Sequence, residues 1–257
     1  MLPSLENLKL SESEPDHDAV RDEFLRLCGG GGGGGGGGSH PPNFVRWGSS
    51  SEKRAFRVLV DESENDRFSA GQYETPYSGT DVDEVLRTRT WSIEHIVPRS
   101  DVNGRSPGLA ENDVFGWDLA TRRANARRSN LPLVLWPTSS DSARGVVTID
   151  GEPHFNPPEE FKARLARRWL YIRIVYSKID RLDRPSRAQA AHADATIELV
   201  RTSPSYAEKR LHALLVERVR AKYGVGWRNP LVPLPSERVA PGLALLRDIK
   251  EFVFRTA

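Results

Sequence analysis

A chain of 257 residues, 38% hydrophobic and 28% charged, suits one large domain or two small ones and has a globular, rather polar composition. Its one cysteine, Cys28, excludes an intrachain disulfide and a cysteine-based zinc knuckle and points to a reducing cytoplasm; no apolar run approaches the roughly 18–20 residues of a membrane span. The net charge of +2 does not by itself announce a nucleic-acid binder, but of the 37 basic side chains 7 are Lys and 30 are Arg, a bias that favours bidentate phosphate contacts and that a GC-rich coding sequence explains equally well.

Residues 1–28 read as an N-terminal helical segment. Asp16 or Asp18 is the cap, and Val20, Phe24 and Leu27 share one face. The first residues, Met1–Asn7, lack a basic region followed by an apolar run, so no signal peptide is expected. Residues 29–40 read as a flexible linker built on the run Gly29–Gly38, which loses too much backbone entropy to hold regular structure and spans about 16–19 Å as a coil. The third unit, residues 41–257, carries Ala55–Val60 as a strand-like piece and loops around short elements over 61–90. Thr90–Val97 reads as a strand bearing Glu94 and His95, 99–113 as loop, Trp117–Asn130 as a short helix or loop-helix unit, and Leu131–Trp136 as an apolar strand-like run. Glu159–Tyr176 is the clearest helix, with Phe161, Leu165, Trp169, Ile172 and Tyr176 at helical spacing behind Pro157-Pro158. Further helices are expected near 187–201, 205–223 and 241–254.

The chemistry concentrates in Ser92-Ile93-Glu94-His95-Ile96-Val97-Pro98 and, 30 positions beyond His95, in Asn125 on the basic segment Ala124–Asn130. An imidazole with an ordinary pKa near ~6.5 takes a proton from water at neutral pH. A carboxylate and an amide oxygen are hard donors that suit Mg²⁺. Together they supply what metal-assisted phosphodiester hydrolysis requires. Glu94 and His95 point to opposite faces of a regular strand, so both serve one site only where the strand ends or bends, which Pro98 permits. Taken alone, a Glu-His dipeptide is more often an ordinary histidine beside an ion-paired glutamate. Arg122, Arg123, Arg127 and Arg128 flank Asn125, and Lys162, Arg164, Arg167, Arg168 and Arg173 stud the long helix, either as phosphate contacts or as a solvated face. The six tryptophans read as core rather than base-stacking platforms, and the other histidines show no metal-ligand spacing.

Three stretches in order resemble the bacterial endonuclease I family, nucleases with a His-Me finger (ββα-metal, HNH-like) core. They are Trp91–Ser100, Asp113 through Asn125–Pro132, and Phe155–Tyr171, with a fainter echo in Arg228-Asn229-Pro230. The resemblance implies that His95 is the general base and that Glu94 and Asn125 hold one divalent cation, Mg²⁺ or else Mn²⁺ or Ca²⁺. It implies a phosphate or structural contact for Arg128 and structural places near the site for Asp113 and Asn130. Arg99 and Arg105 are further candidates for the substrate phosphate. Two positions depart from the family pattern: Gly116 stands where a His or Asn is usual, and Ala163 where Gly is usual.

These readings give an α+β fold, with a ββα core at about 91–130 and a helical C-terminal part at about 159–257. The expected function is metal-dependent endonuclease action on DNA, with RNA as a second substrate, either restrained by a regulatory protein partner or as part of an antiphage defence or toxin system. The alternative is a nucleic-acid-binding module impaired in turnover, as Gly116 suggests, or an adaptor acting through a protein partner. No membrane association is expected.

Overall fold

In a computed structural model, residues 17–29, 53–57, 74–80, 82–98, 110–139, 144–177, 182, 184–224 and 226–254 are described. Strand β1 (Trp91–His95) pairs antiparallel with β2 (Trp117–Thr121), with Glu94 opposite Asp118 and His95 opposite Trp117. Thr121 then caps helix α3 (Arg122–Arg128) by accepting a hydrogen bond from Ala124 N at 3.1 Å. The segment read as a helix or loop-helix unit from Trp117 therefore begins as a strand. Leu119 and Ala120 are buried in it, and the helix starts only after Thr121.

A second hairpin joins β3 (Gly145–Ile149) to β4 (Glu152–Asn156). Its turn residues Asp150 and Gly151 have φ of 52° and 82°, which suits an Asp-Gly pair. Leu131–Trp136 is not a regular strand: it touches β4 through a single Leu133–Phe155 bridge and two backbone hydrogen bonds. Pro132 has no N–H to continue a ladder. The strand expected from Ala55 is also corrected. Residues 53–57 are helical, and Phe56 is buried with its ring edge-on to Trp117, so packing overrides the β-branched neighbours; 58–60 lie outside the described residues.

Helix α2 (Val82–Arg87) precedes β1. Helix α4 (Glu159–Tyr176) runs through the centre of the molecule, against α1 (His17–Gly29), the 3₁₀ turn Val114–Gly116, α6 (Ala193–Arg201) and α8 (Leu246–Phe254). It begins behind Pro158 with Glu159 and Glu160 in its first turn, where carboxylates face the positive end of the helix dipole. Because α4 is enclosed, its basic side chains form no solvated face. Arg167 donates to both oxygens of Glu208 on α7 (Tyr206–Tyr223) at 2.8 and 2.6 Å, Lys162 reaches Trp136 O at 2.8 Å, and Arg173 lies 4.6 Å over the Trp169 ring. Buried cations need such partners. The expected helix near 187–201 is two helices, α5 (Arg187–Ala191) and α6, separated at His192. Trp117, Trp136, Trp169 and Trp227 are buried in the core, and Trp91 packs against it half-buried.

Helix α1 is packed into the body. Val20, Phe24 and Cys28 are buried, Leu27 is only half-buried, and Arg228 donates its backbone N–H to Cys28 O at 3.1 Å and its Nε to Leu27 O at 3.2 Å. The rest of the glycine run lies outside the described residues.

His212 of α7 is buried against Phe115 and accepts from Asn229 N at 3.1 Å. Burial, reinforced by the positive charges of Arg228 and Arg168, pushes its imidazole down to about 3. The unfolded chain therefore binds a proton below pH ~6.5 that the folded chain refuses until about pH 3, and this group's contribution to stability is lost as pH falls through that window. Urea unfolding between pH 7 and 4 is expected to show an acid loss approaching ~1.4 kcal/mol per pH unit from this side chain, absent in His212→Gln.

Candidate active site

Strand β1 presents two different environments. Ser92 and Glu94 face helix α3. The half-buried His95 ends the strand on the opposite face, its ring 5.9 Å from Trp117. Beyond it the hairpin gains one more backbone hydrogen bond, from Ile96 N to Gly116 O at 3.1 Å.

Glu94 is 1% exposed. Arg128 at the end of α3 pairs with its Oε1 at 3.0 Å, and Tyr77 O–H donates to the same oxygen at 2.7 Å. Arg128 also donates to the carbonyls of His95 and Ile96 at 3.2 and 3.0 Å. Burial pushes the Glu94 carboxyl up to about 7 against the pull of Arg128 and Tyr77, with neighbouring Asp118 adding to the rise. Burial also raises the Tyr77 hydroxyl, which stays a donor. Asp118, directly across the ladder, pairs with Arg164 of α4 at 3.1 Å.

Asn125 sits on the side of α3 that meets β1. Its Nδ2 donates to Ser92 Oγ at 2.9 Å and to Ile93 O at 3.0 Å. A backbone carbonyl only accepts, so the amide nitrogen faces it and Oδ1 is turned away. Among the described residues Glu94 Oε2 and Asn125 Oδ1 carry no hydrogen-bond partner, which leaves one anionic and one neutral hard oxygen on the two elements joined by Arg128. That donor chemistry fits a hard divalent cation such as Mg²⁺ completed by water and substrate oxygens. No group of three or more His, Cys, Asp or Glu is gathered at any metal-sized site among the described residues.

The other candidates separate clearly. Asp113 is fully buried: its carboxylate accepts from Phe115 N, Tyr171 O–H and Tyr176 O–H, each at 2.8 Å, and Trp227 Nε1 donates to the Tyr171 oxygen. It caps the turn that leads into β2. Arg128 is 3% exposed and engaged with Glu94. Asn130 is exposed in the turn after α3; Arg122, Arg123 and Arg127 are exposed on α3, with Arg122 Nε donating to Trp91 O at 3.3 Å and the Arg127 guanidinium lying against Gly145. Arg99 and Arg105 lie outside the described residues. Tyr77 and Asp118 had no sequence signal of their own, and Arg164 was read only as one of the basic residues of the long helix; all three meet Glu94 or its neighbours only in the folded chain.

The departure at Gly116 has a packing cause. A Cβ there would lie 2.6 Å from Ile172 Cδ1 and 2.7 Å from Cγ1, so α4 fills the space that a larger side chain would need.

The sequence model of the family described as Endonuclease I matches residues 49–200, a span that contains β1, β2, α3 and α4. No curated protein matches the chain.

Gly116→Ala is expected to cost about 1–3 kcal/mol of stability by overpacking. In an Ile172→Ala background the same substitution should cost much less, a coupling that a double-mutant cycle of unfolding free energies measures.

Proposed function

The chain belongs to the endonuclease I family, a family of nucleases, and on that premise we propose that it is a divalent-cation-dependent endonuclease with a His-Me finger site. Its substrate on this reading is DNA, with RNA as the alternative. The observation that carries the reading is the seam of β1 and α3, where Glu94 is held through Oε1 and Asn125 through Nδ2, and where among the described residues neither Glu94 Oε2 nor Asn125 Oδ1 has a hydrogen-bond partner.

In this reading Glu94 and Asn125 hold the cation, which when bound supplies Lewis-acid stabilisation of the charge that builds on the phosphate. His95, at the end of its strand, takes the proton from the attacking water. Arg128 stays with Glu94 and fixes α3 against the carbonyl of His95, so that ligands and base keep one geometry. The exposed arginines of α3 supply sequence-independent phosphate contacts, and Arg99 and Arg105 remain candidates for the same task. A reducing, cytoplasmic setting is proposed on cysteine usage alone, and restraint by a protein partner or a place in a defence system is proposed on the danger that a free nuclease poses to its host. No described helix is long and apolar enough to cross a membrane.

A second reading, a nucleic-acid-binding module without turnover, is favoured by one observation: Glu94 and His95 project from opposite faces of β1. Incubating supercoiled plasmid with the protein decides between the two. The nuclease reading expects nicking that needs Mg²⁺ or Mn²⁺ and is abolished by His95→Ala with DNA binding retained. Tight binding with no nicking in either ion would establish the second reading.

The proposed ligand Glu94 also sets a pH dependence. With its carboxyl pushed up to about 7 by burial, a proton competes with the cation below about pH 7. The apparent Mn²⁺ constant should weaken by up to ~10-fold per pH unit below 7 and level off above it. Calorimetric titrations from pH 5.5 to 8.5 test this, and a flat profile would remove Glu94 from the ligand set.

A further inference from the structure

We propose that Tyr77 and Ser92 are positioning residues of the cation site, each tying down one terminal atom of a ligand side chain so that the remaining oxygen is the one presented. The inference rests on the reading of Glu94 and Asn125 as ligands, and goes beyond it by assigning what aims them.

The torsion about the last bond of a glutamate is broad and nearly two-fold, so an unrestrained carboxylate samples many orientations. Glu94 is not unrestrained. Tyr77 O–H at 2.7 Å and Arg128 Nη1 at 3.0 Å both land on Oε1, which fixes the plane of the group and directs Oε2 away from them. The two contacts do different work. Arg128 supplies charge, whereas the tyrosine hydroxyl supplies direction without placing a second positive charge beside an incoming cation.

Tyr77 is itself held. Its ring lies 4.9 Å from that of Phe155 on β4. Its segment, residues 74–80, is closed by Thr75 N to Thr80 O at 2.9 Å and anchored by Arg164 Nη2 to Glu74 O at 2.8 Å. Arg164 is the side chain that pairs with Asp118 opposite Glu94, so helix α4 aligns the tyrosine and the strand pair together.

Ser92 plays the matching part for Asn125. The amide nitrogen of Asn125 has two N–H donors, and the strand offers two acceptors for them, Ile93 O and Ser92 Oγ. With both engaged the amide plane is fixed and Oδ1 is turned away from the two strand acceptors. Without Ser92 Oγ the amide pivots on a single hydrogen bond.

The test uses Tyr77→Phe, which keeps the ring and removes one hydroxyl, and Ser92→Ala, a change at a half-buried position. Mn²⁺ binding to the full chain without nucleic acid is measured by calorimetry, beside metal-free thermal melting and plasmid nicking as a function of Mn²⁺. Tyr77→Phe is expected to weaken Mn²⁺ binding about 10-fold or more, the usual effect of losing a hydrogen bond to a ligand, and Ser92→Ala by a smaller factor. Raising Mn²⁺ should recover the lost nicking, which a merely structural role does not predict. Wild-type Mn²⁺ constants in both variants, or a nicking loss that saturating Mn²⁺ leaves in place, would overturn the proposal. Should Tyr77→Phe melt too low to assay, Ser92→Ala decides alone. Glu94→Gln separates the two levels: if it binds Mn²⁺ as wild type does, the ligand assignment itself fails. If it loses binding while Tyr77→Phe and Ser92→Ala do not, the ligands stand and the positioning role falls.

Discussion

The guanidinium of Arg128 is the contact on which the geometry of the site depends. From the last turn of α3 it reaches one oxygen of Glu94 and the carbonyls of His95 and Ile96, so one rigid, planar group locks a helix to the end of a strand. Desolvating both charges offsets most of their mutual attraction, and such a pair adds little net stability over an apolar replacement. What it adds is geometry. Removing Glu94 leaves the buried guanidinium charged and unpaired, which costs about 3–5 kcal/mol in comparable pairs, whereas removing Arg128 frees the Glu94 carboxyl from the charge that holds it down.

Helix α4 is the second level of the same design. Arg164 ties β2 and the 74–80 segment to it, Tyr171 and Tyr176 hold Asp113 at the turn before β2, and Ile172 occupies the space over Gly116. The middle of α4 is fastened to α7 by Arg167 and Glu208, and Trp227 closes on Tyr171. Elements after residue 200, beyond the span that the family model matches, therefore reach the turn before β2 through two hydrogen bonds, Trp227 to Tyr171 and Tyr171 to Asp113. The N-terminal helix joins the same body, with Cys28 buried in the core that holds Tyr171 and Trp227.

The central helix was legible because Pro157-Pro158 and an apolar residue at every third or fourth position leave few alternatives. Its basic residues were not. A sequence shows that Arg164 and Arg167 are charged, but not that their partners stand at Asp118 and Glu208. The hairpin over 145–156 had a local signal in Asp150-Gly151, and the two-stranded character of Trp117–Thr121 had almost none, since its pairing partner lies across the intervening loop.

Sequence by itself determined which functional groups exist and the order in which they come: a carboxylate and imidazole side by side, an amide 30 residues further on, and a long helix behind them. Those are matters of residue type and local periodicity, which no distant contact alters. Only the tertiary structure decided that Glu94 turns inward to Tyr77 and Arg128 while His95 turns to Trp117, and that Glu94 is bonded through Oε1 and Asn125 through Nδ2. The reason is that orientation comes from hydrogen bonds and ion pairs between residues as much as 90 positions apart, and such pairings leave no mark on the local pattern of the chain.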